Sequence, residues 1–236
     1  MAKVVGVDSS TQSVKVVLRD ADSGELIASA TKPHPDGTEV APEAWWTALS
    51  AALVEIKEPY DAISIAGQQH GMVALDSKGE VIRDALLWND TRSDRAAAKL
   101  NEEIPDIHQR TGSKLVASFT ASKVRWLAEN EKENANQVSA IALPHDWLSW
   151  KLTGSDSIND LFTDRSDASG TGYFDSKSNE YQRDIFSKAL LSDRKVVLPT
   201  VIAPDQFGGK TKAGIPIAAG AGDNAGAALG LGAAVG

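Results

Sequence analysis

The stretch that decides the fold is Val4-Val5-Gly6-Val7-Asp8-Ser9-Ser10-Thr11-Gln12-Ser13-Val14-Lys15-Val16-Val17. An apolar run ends on one carboxylate, a hydroxyl-rich turn follows, and a second run alternates. Val14, Val16 and Leu18 fall on one face of that run, and Lys15, Val17 and Arg19 on the other. The pattern predicts two paired strands. Asp8 stands where the first strand leaves the core, beside Ser, Thr, Gln and backbone N–H donors. Donors around a phosphate, with a carboxylate for Mg²⁺, are one way to hold a nucleoside triphosphate tail. Local turn chemistry explains the same residue types. The stretch alone does not separate the two readings.

The chain has 236 residues, room for one large domain or two small ones. It contains no Cys, which excludes disulfides and thiolate metal sites and fits a reducing, cytoplasmic compartment. The first residues lack a secretory pattern, and no long apolar segment suits a bilayer, so no membrane partner is expected. A formal net charge of −8 argues against a nucleic-acid surface. It leaves ATP binding open, because that needs only local donors and a metal.

Beyond the first two runs, residues 26–30 read as a third strand of an antiparallel meander. Pro42 and Glu43 open a helix in which Trp45, Leu49, Ala52, Leu53 and Ile56 recur at helical spacing, and Pro59 ends it. Residues 62–66 form a short apolar strand. A meander, a crossover helix and a fourth strand describe an α/β layer. Residues 72–82 read as a hairpin. The middle reads as helical around 95–100, 104–112 and 120–129, with a short amphipathic helix over 144–153 closed by Gly154. Residues 164–172 read as a polar loop, followed by a helix over 181–191.

Three patches carry chemistry. Gly67-Gln68-Gln69-His70-Gly71 follows the fourth strand directly. Its glycines allow a tight bend, and its amides and imidazole suit several hydroxyls; a structural role for His70 competes. Leu86-Leu87-Trp88-Asn89-Asp90-Thr91-Arg92 sets an indole beside Asn, Asp and Arg, a combination that suits a sugar, while Asn89 or Asp90 would also serve as a helix cap. Gly220-Ala221-Gly222-Asp223-Asn224 reads as a strand, a turn and a helix start. It lacks the dinucleotide spacing, and Asp223 is either a cap or a second carboxylate held at a strand end, like Asp8. Residues 231–236 end without a cap or polar tail and read as a helix cut in mid-course, so a longer protein is expected.

Taken in order, these patches resemble the FGGY carbohydrate kinases, and within them the xylulokinases. Lys151-Leu152-Thr153-Gly154 and Asp167-Ala168-Ser169-Gly170-Thr171 complete the likeness. The resemblance implies an α/β, ribonuclease-H-like fold of the actin/hexokinase type, a mixed sheet flanked by helices and helical insertions. It implies a sugar-binding domain over 1–222. Residues 223–236 would begin the connection to a separate C-terminal domain holding most of the ATP site. Activity would be ATP- and Mg²⁺-dependent phosphorylation of D-xylulose, with ribulose, glycerol or gluconate as alternative substrates. Asp223 matches the family's catalytic base, and Asp8 the carboxylate serving Mg·ATP. Thr11, Gln12 and Lys15 lie in the phosphate-facing turn. Gln69 and His70 match the sugar-touching pair, with Asn224 beside it and Trp88, Asn89, Asp90 and Arg92 as pocket wall. The chain departs from the xylulokinase pattern at Gln69, where Met is usual. A homodimer is left open, and a non-catalytic actin-like nucleotide-binding module is the rival outside the kinases.

Overall fold

The valine alternation of the opening residues does build the heart of a sheet. The computed structural model describes residues 1–233. Its elements begin with β1 (Lys3–Ser9), β2 (Ser13–Asp20), β3 (Leu26–Pro33), β4 (Glu39–Val40), α1 (Pro42–Glu55), β5 (Ala62–Gly67), β6 (Val73–Leu75) and β7 (Ala85–Leu86). Then come α2 (Asp94–Glu103), α3 (Ile107–Thr111), α4 (Thr120–Asn130), α5 (Lys132–Gln137), β8 (Ala140–Ala142) and α6 (Pro144–Thr153). The remainder is β9 (Phe162–Asp164), α7 (Arg165–Ser169), β10 (Phe174–Asp175), β11 (Glu180–Tyr181), α8 (Arg183–Leu190) and β12 (Thr200–Ile202). It closes with β13 (Phe207–Lys210), β14 (Pro216–Ala218), β15 (Ala221–Gly222) and α9 (Asp223–Gly230).

The main sheet runs β13-β14-β5-β1-β2-β3, and β15 also pairs with β5. β1, β2 and β3 are the antiparallel meander, and β5 lies parallel to β1 after the crossover through α1. The sheet is therefore mixed, as an α/β reading requires. Alternation gives it two unlike faces. Val5, Val7, Val14, Val16, Leu18, Ile63 and Ile65 pack with Trp45, Leu49 and Ala52 of α1 and with Trp147 and Leu148 of α6. Each large apolar side chain so buried contributes roughly 1.5–3 kcal/mol. The opposite face presents Gly6, Asp8, Lys15, Val17, Ser64 and Ala66 to a cleft.

α1 starts on Pro42 and stops at Glu55, before Pro59, as its sequence signals require. α6 differs from expectation: it is buried on nearly every side rather than amphipathic, because it is packed against β5, β13 and β14 of the main sheet, β9 and α1. The expected hairpin over 72–82 forms as a short one, with an antiparallel bridge from Leu75 to Val81, Ile82 N donating to Ala74 O and Asp76 N to Glu80 O, and β6 pairs in addition with the distant β8. A second core, around Leu100, Leu127, Tyr173 and Phe186, joins α2, α4 and α8. Residues 165–169 are helical rather than loop, since Asp164 caps them by accepting from Ser166 N and Asp167 N. Tyr181 lies in β11, outside the helix expected over 181–191. α9 ends at Gly230, and residues 234–236 of the expected terminal helix lie outside the described residues. No helix among the described residues is long and apolar enough to cross a membrane.

Candidate active site

The cleft encloses about 510 Å³ between the polar face of the sheet and α9. Asp8 and Lys15 are cross-strand partners, so the antiparallel register alone puts carboxylate and ammonium side by side. Asp8 is exposed, and its Oδ1 accepts the Ser10 hydroxyl at 2.7 Å. Its Oδ2 has no hydrogen-bond partner among the described residues, so the donor set fits a Mg²⁺-bound phosphate. His34, not singled out in the sequence, holds the turn from below. Its N–H donates to Gln12 O at 2.8 Å and its Nδ1–H to Ser10 O at 2.9 Å. Burial lowers the His34 proton affinity, which keeps that ring neutral.

Asp223 faces the same cleft from the first turn of α9. Burial, and then the Asp8 charge, raise its carboxyl above the usual range, against the backbone N–H of Asn224 at 2.7 Å. Gly226 brings α9 close, since a Cβ there would meet the Ala66 Cβ at 3.4 Å. The Gly220–Gly222 segment is equally constrained. A Cβ on Gly222 would lie 2.3 Å from Gln69 Nε2.

The bend after β5 brings Gln69 and Asn224 together, with Asn224 Nδ2 donating to Gln69 Oε1 at 3.1 Å. His70 adopts a left-handed backbone at φ 67°, a strain tolerated in well-determined sites. Its Nδ1–H donates to Gly170 O at 2.7 Å, and its ring lies against Phe119 with centroids 5.0 Å apart. Burial holds the His70 proton affinity below its ordinary value, despite the Gly170 bond. The neutral ring therefore keeps its lone pair on Nε2, an acceptor for a hydroxyl. Thr120, the first residue of α4, donates its hydroxyl to His70 O at 3.1 Å, and Phe119 takes the N-cap place.

The Trp88 patch divides. Trp88 is 48% exposed and donates its Nε1–H to Thr11 Oγ1 at 2.9 Å, which joins the indole to the turn after β1. Asn89 is half-buried, and its Oδ1 has no partner among the described residues. Asp90 is buried and accepts from Thr38 Oγ1, Arg92 N and Arg92 Nε. Burial pushes the Asp90 carboxyl up, but these bonds outweigh it and leave it below its ordinary value. Arg92 also pairs with Glu39 at 2.7 Å and lies over the Trp126 ring. Asp90 and Arg92 are thus committed to each other and to the helical layer, and Ser93 precedes α2 in the cap position.

Sequence reasoning missed Lys123. Its side chain is fully buried, with Nζ donating to Ala117 O at 2.9 Å and to Ser118 O. Burial brings its proton affinity down to about 7. It also missed the ionic cluster of His145, Asp146, Asp164 and Asp167 beneath the bend. The cap spacing Asp164-x-Ser166 was the available signal.

Comparison with known proteins places the fold in a family. A xylulose kinase of Streptomyces coelicolor is 44% identical over 97% of this chain and 50% of that protein. One of Escherichia coli is 32% identical over the same shares. The crystal structure of xylulose kinase from Bifidobacterium adolescentis superposes on all of this chain and 56% of its own, with a TM-score of 0.95 and 42% identity. A glycerol kinase of Plasmodium falciparum, at 24% identity and a TM-score of 0.84, shares the fold. The chain spans about half the length of the curated relatives it matches. Residues 3–230 match the model of the N-terminal domain of the FGGY carbohydrate kinases, and the chain belongs to that family.

Proposed function

We propose that this chain is the sugar-binding half of an ATP-dependent cytoplasmic kinase that converts D-xylulose to D-xylulose 5-phosphate. The observation that carries the reading is that Asp223 and Asp8 line one cleft, Asp8 near the end of β1 and Asp223 just after β15, the two strands that flank the end of β5. Asp223 is the base: it aligns the sugar hydroxyl for in-line attack and takes its proton late, as a loose phosphoryl-transfer transition state permits. Its raised proton affinity improves it in that role. Asp8, with Lys15 and the turn of Thr11 and Gln12, receives the phosphate tail. Mg²⁺ carried with ATP supplies charge neutralisation. His70, Gln69 and Asn224 orient the sugar hydroxyls, and Trp88 offers its face to the carbon chain. The names of the similar proteins support D-xylulose as the substrate.

Catalysis needs a second wall to bring ATP to this cleft, so residues 223–236 lead into a separate ATP-binding domain, and this chain alone turns over little or not at all. The test is ATP consumption by the full-length protein against D-xylulose, L-ribulose, glycerol and gluconate. The reading expects the highest kcat/KM for D-xylulose. Silence on every sugar overturns it.

A further inference from the structure

A buried ionic cluster connects to the backbone beside Asp223 through a continuous chain of contacts. His145, the second residue of α6, has its side chain wholly buried. Two glycines make room for it. A Cβ on Gly67 would lie 2.7 Å from the His145 Cβ, and one on Gly220 would lie 2.2 Å from its Cδ2. Nδ1 lies 2.9 Å from Asp146 Oδ1 and 2.8 Å from Asp167 Oδ2, and Nε2 lies 3.3 Å from Asp164 Oδ2.

These are ion-pair contacts and not aligned hydrogen bonds: both His145 ring nitrogens, both Asp167 oxygens and Asp164 Oδ2 lack a hydrogen-bond partner among the described residues. A buried carboxylate without donors needs a cation beside it. His145 is the basic group they share, and burial pushes the Asp167 carboxyl up to about 7, so the ring and that carboxyl hold a proton between them. Burial by itself would discharge the ring, but Asp146 and Asp167 reverse that and raise its proton affinity well above the ordinary value.

From Asp164 the chain of contacts continues outward. Asp164 Oδ1 accepts Ser166 N at 2.6 Å and the Ser166 hydroxyl. Ser166 Oγ in turn accepts Gly222 N–H at 3.0 Å. Gly222 pairs with Gly67 in the sheet, and Asp223 follows it. The Ser166 hydroxyl has one proton, and it goes to Asp164, so its lone pair is aimed at Gly222. The carboxylate sets that direction.

We propose that His145, Asp164 and Ser166 form a positioning relay: the buried ion pair fixes Asp164, Asp164 orients Ser166, and Ser166 anchors the Gly222 amide that sets the place of Asp223. This rests on the reading of Asp223 as the base. None of the three touches the reacting atoms. The relay acts on the alignment of Asp223, so its loss falls on kcat and not on sugar binding.

The test uses the full-length kinase with Ser166→Ala and Ser166→Thr, each assayed for kcat, sugar KM and thermal midpoint. Ser166→Ala is expected to lower kcat about tenfold, with KM within twofold and the midpoint within about 2 °C. Ser166→Thr keeps the hydroxyl and is expected to restore at least half of the lost kcat. Asp164→Asn is the second probe, because it keeps an acceptor for Ser166 but removes the charge facing His145; a kcat loss at unchanged KM is expected there too. Wild-type kcat in Ser166→Ala, equal losses in the Ala and Thr variants, or a loss confined to the thermal midpoint would each overturn the relay. A wild-type enzyme inactive on every sugar would instead overturn the kinase reading, so the two failures are distinguishable.

Discussion

The Trp88 indole N–H donates to the Thr11 hydroxyl at 2.9 Å, so the stretch after β7 is tied to the turn that follows Asp8. Two stretches far apart in sequence thereby share one hydrogen bond, which links the residues proposed to face the sugar to those proposed to face the phosphate. Trp88→Phe keeps most of the ring but breaks that bond, whose net value is about 1 kcal/mol. Sugar KM should rise about fivefold, with the thermal midpoint unchanged, in steady-state kinetics on the full-length enzyme. An unchanged KM would show that the indole N–H plays no part.

His70 should respond to pH in a defined direction. Its proton affinity lies below the ordinary value of 6.5, and Nδ1–H is committed to Gly170. The Nε2 lone pair is therefore present at neutral pH and lost on acidification. Sugar KM should be flat through neutral pH and rise only on acidification below the ordinary imidazole value. In His70→Asn that acid limb should vanish. A KM profile identical in the two proteins would contradict the assignment.

Lys123 makes stability depend on pH on the alkaline side. Its proton affinity falls from 10.5 to about 7 on folding, so between those values the unfolded chain binds more protons. The stability linked to this group is fully present above about pH 10.5 and is lost as pH falls toward 7. Denaturant midpoints of wild type, measured from pH 7 to 10, should therefore rise relative to Lys123→Met. Parallel profiles would contradict a buried, depressed lysine.

Gly220 is predicted to be irreplaceable on steric grounds. A Cβ there would meet Ile65 O at 2.3 Å as well as the His145 ring. A backbone carbonyl in a paired strand cannot yield, so Gly220→Ala should cost about 1–3 kcal/mol. Urea unfolding reads this directly, and an unshifted midpoint would show that the turn relaxes.

Local pattern made the sheet readable. Val14, Val16 and Leu18 announced one buried face, and Pro42 and Pro59 bracketed α1, because alternation and proline geometry act within a few residues. The polar ends of β1, β5 and β15, where Asp8, the Gln69–His70 bend and Asp223 stand, were legible for the same reason. The pairing of β6 with β8 was not, since a non-local partner leaves no mark in either strand's own periodicity. His145 reads from sequence only as one residue of the short helix over 144–153. Its role depends on Asp164 and Asp167, which a separate stretch of chain brings beneath it, and on two glycines whose missing side chains no local rule connects to it. Asp90 and Arg92 have the residue types of a sugar wall, and only tertiary packing reveals their attachment to Glu39 and Trp126.

The measurement that tests the central claim most directly is turnover of Asp223→Ala in the full-length enzyme, with D-xylulose and Mg·ATP. General-base catalysis is worth roughly 10²–10⁴-fold. We expect kcat to fall by at least about 100-fold, with the thermal midpoint and sugar KM close to wild type. Turnover near the wild-type rate would contradict the assignment of Asp223 as the base.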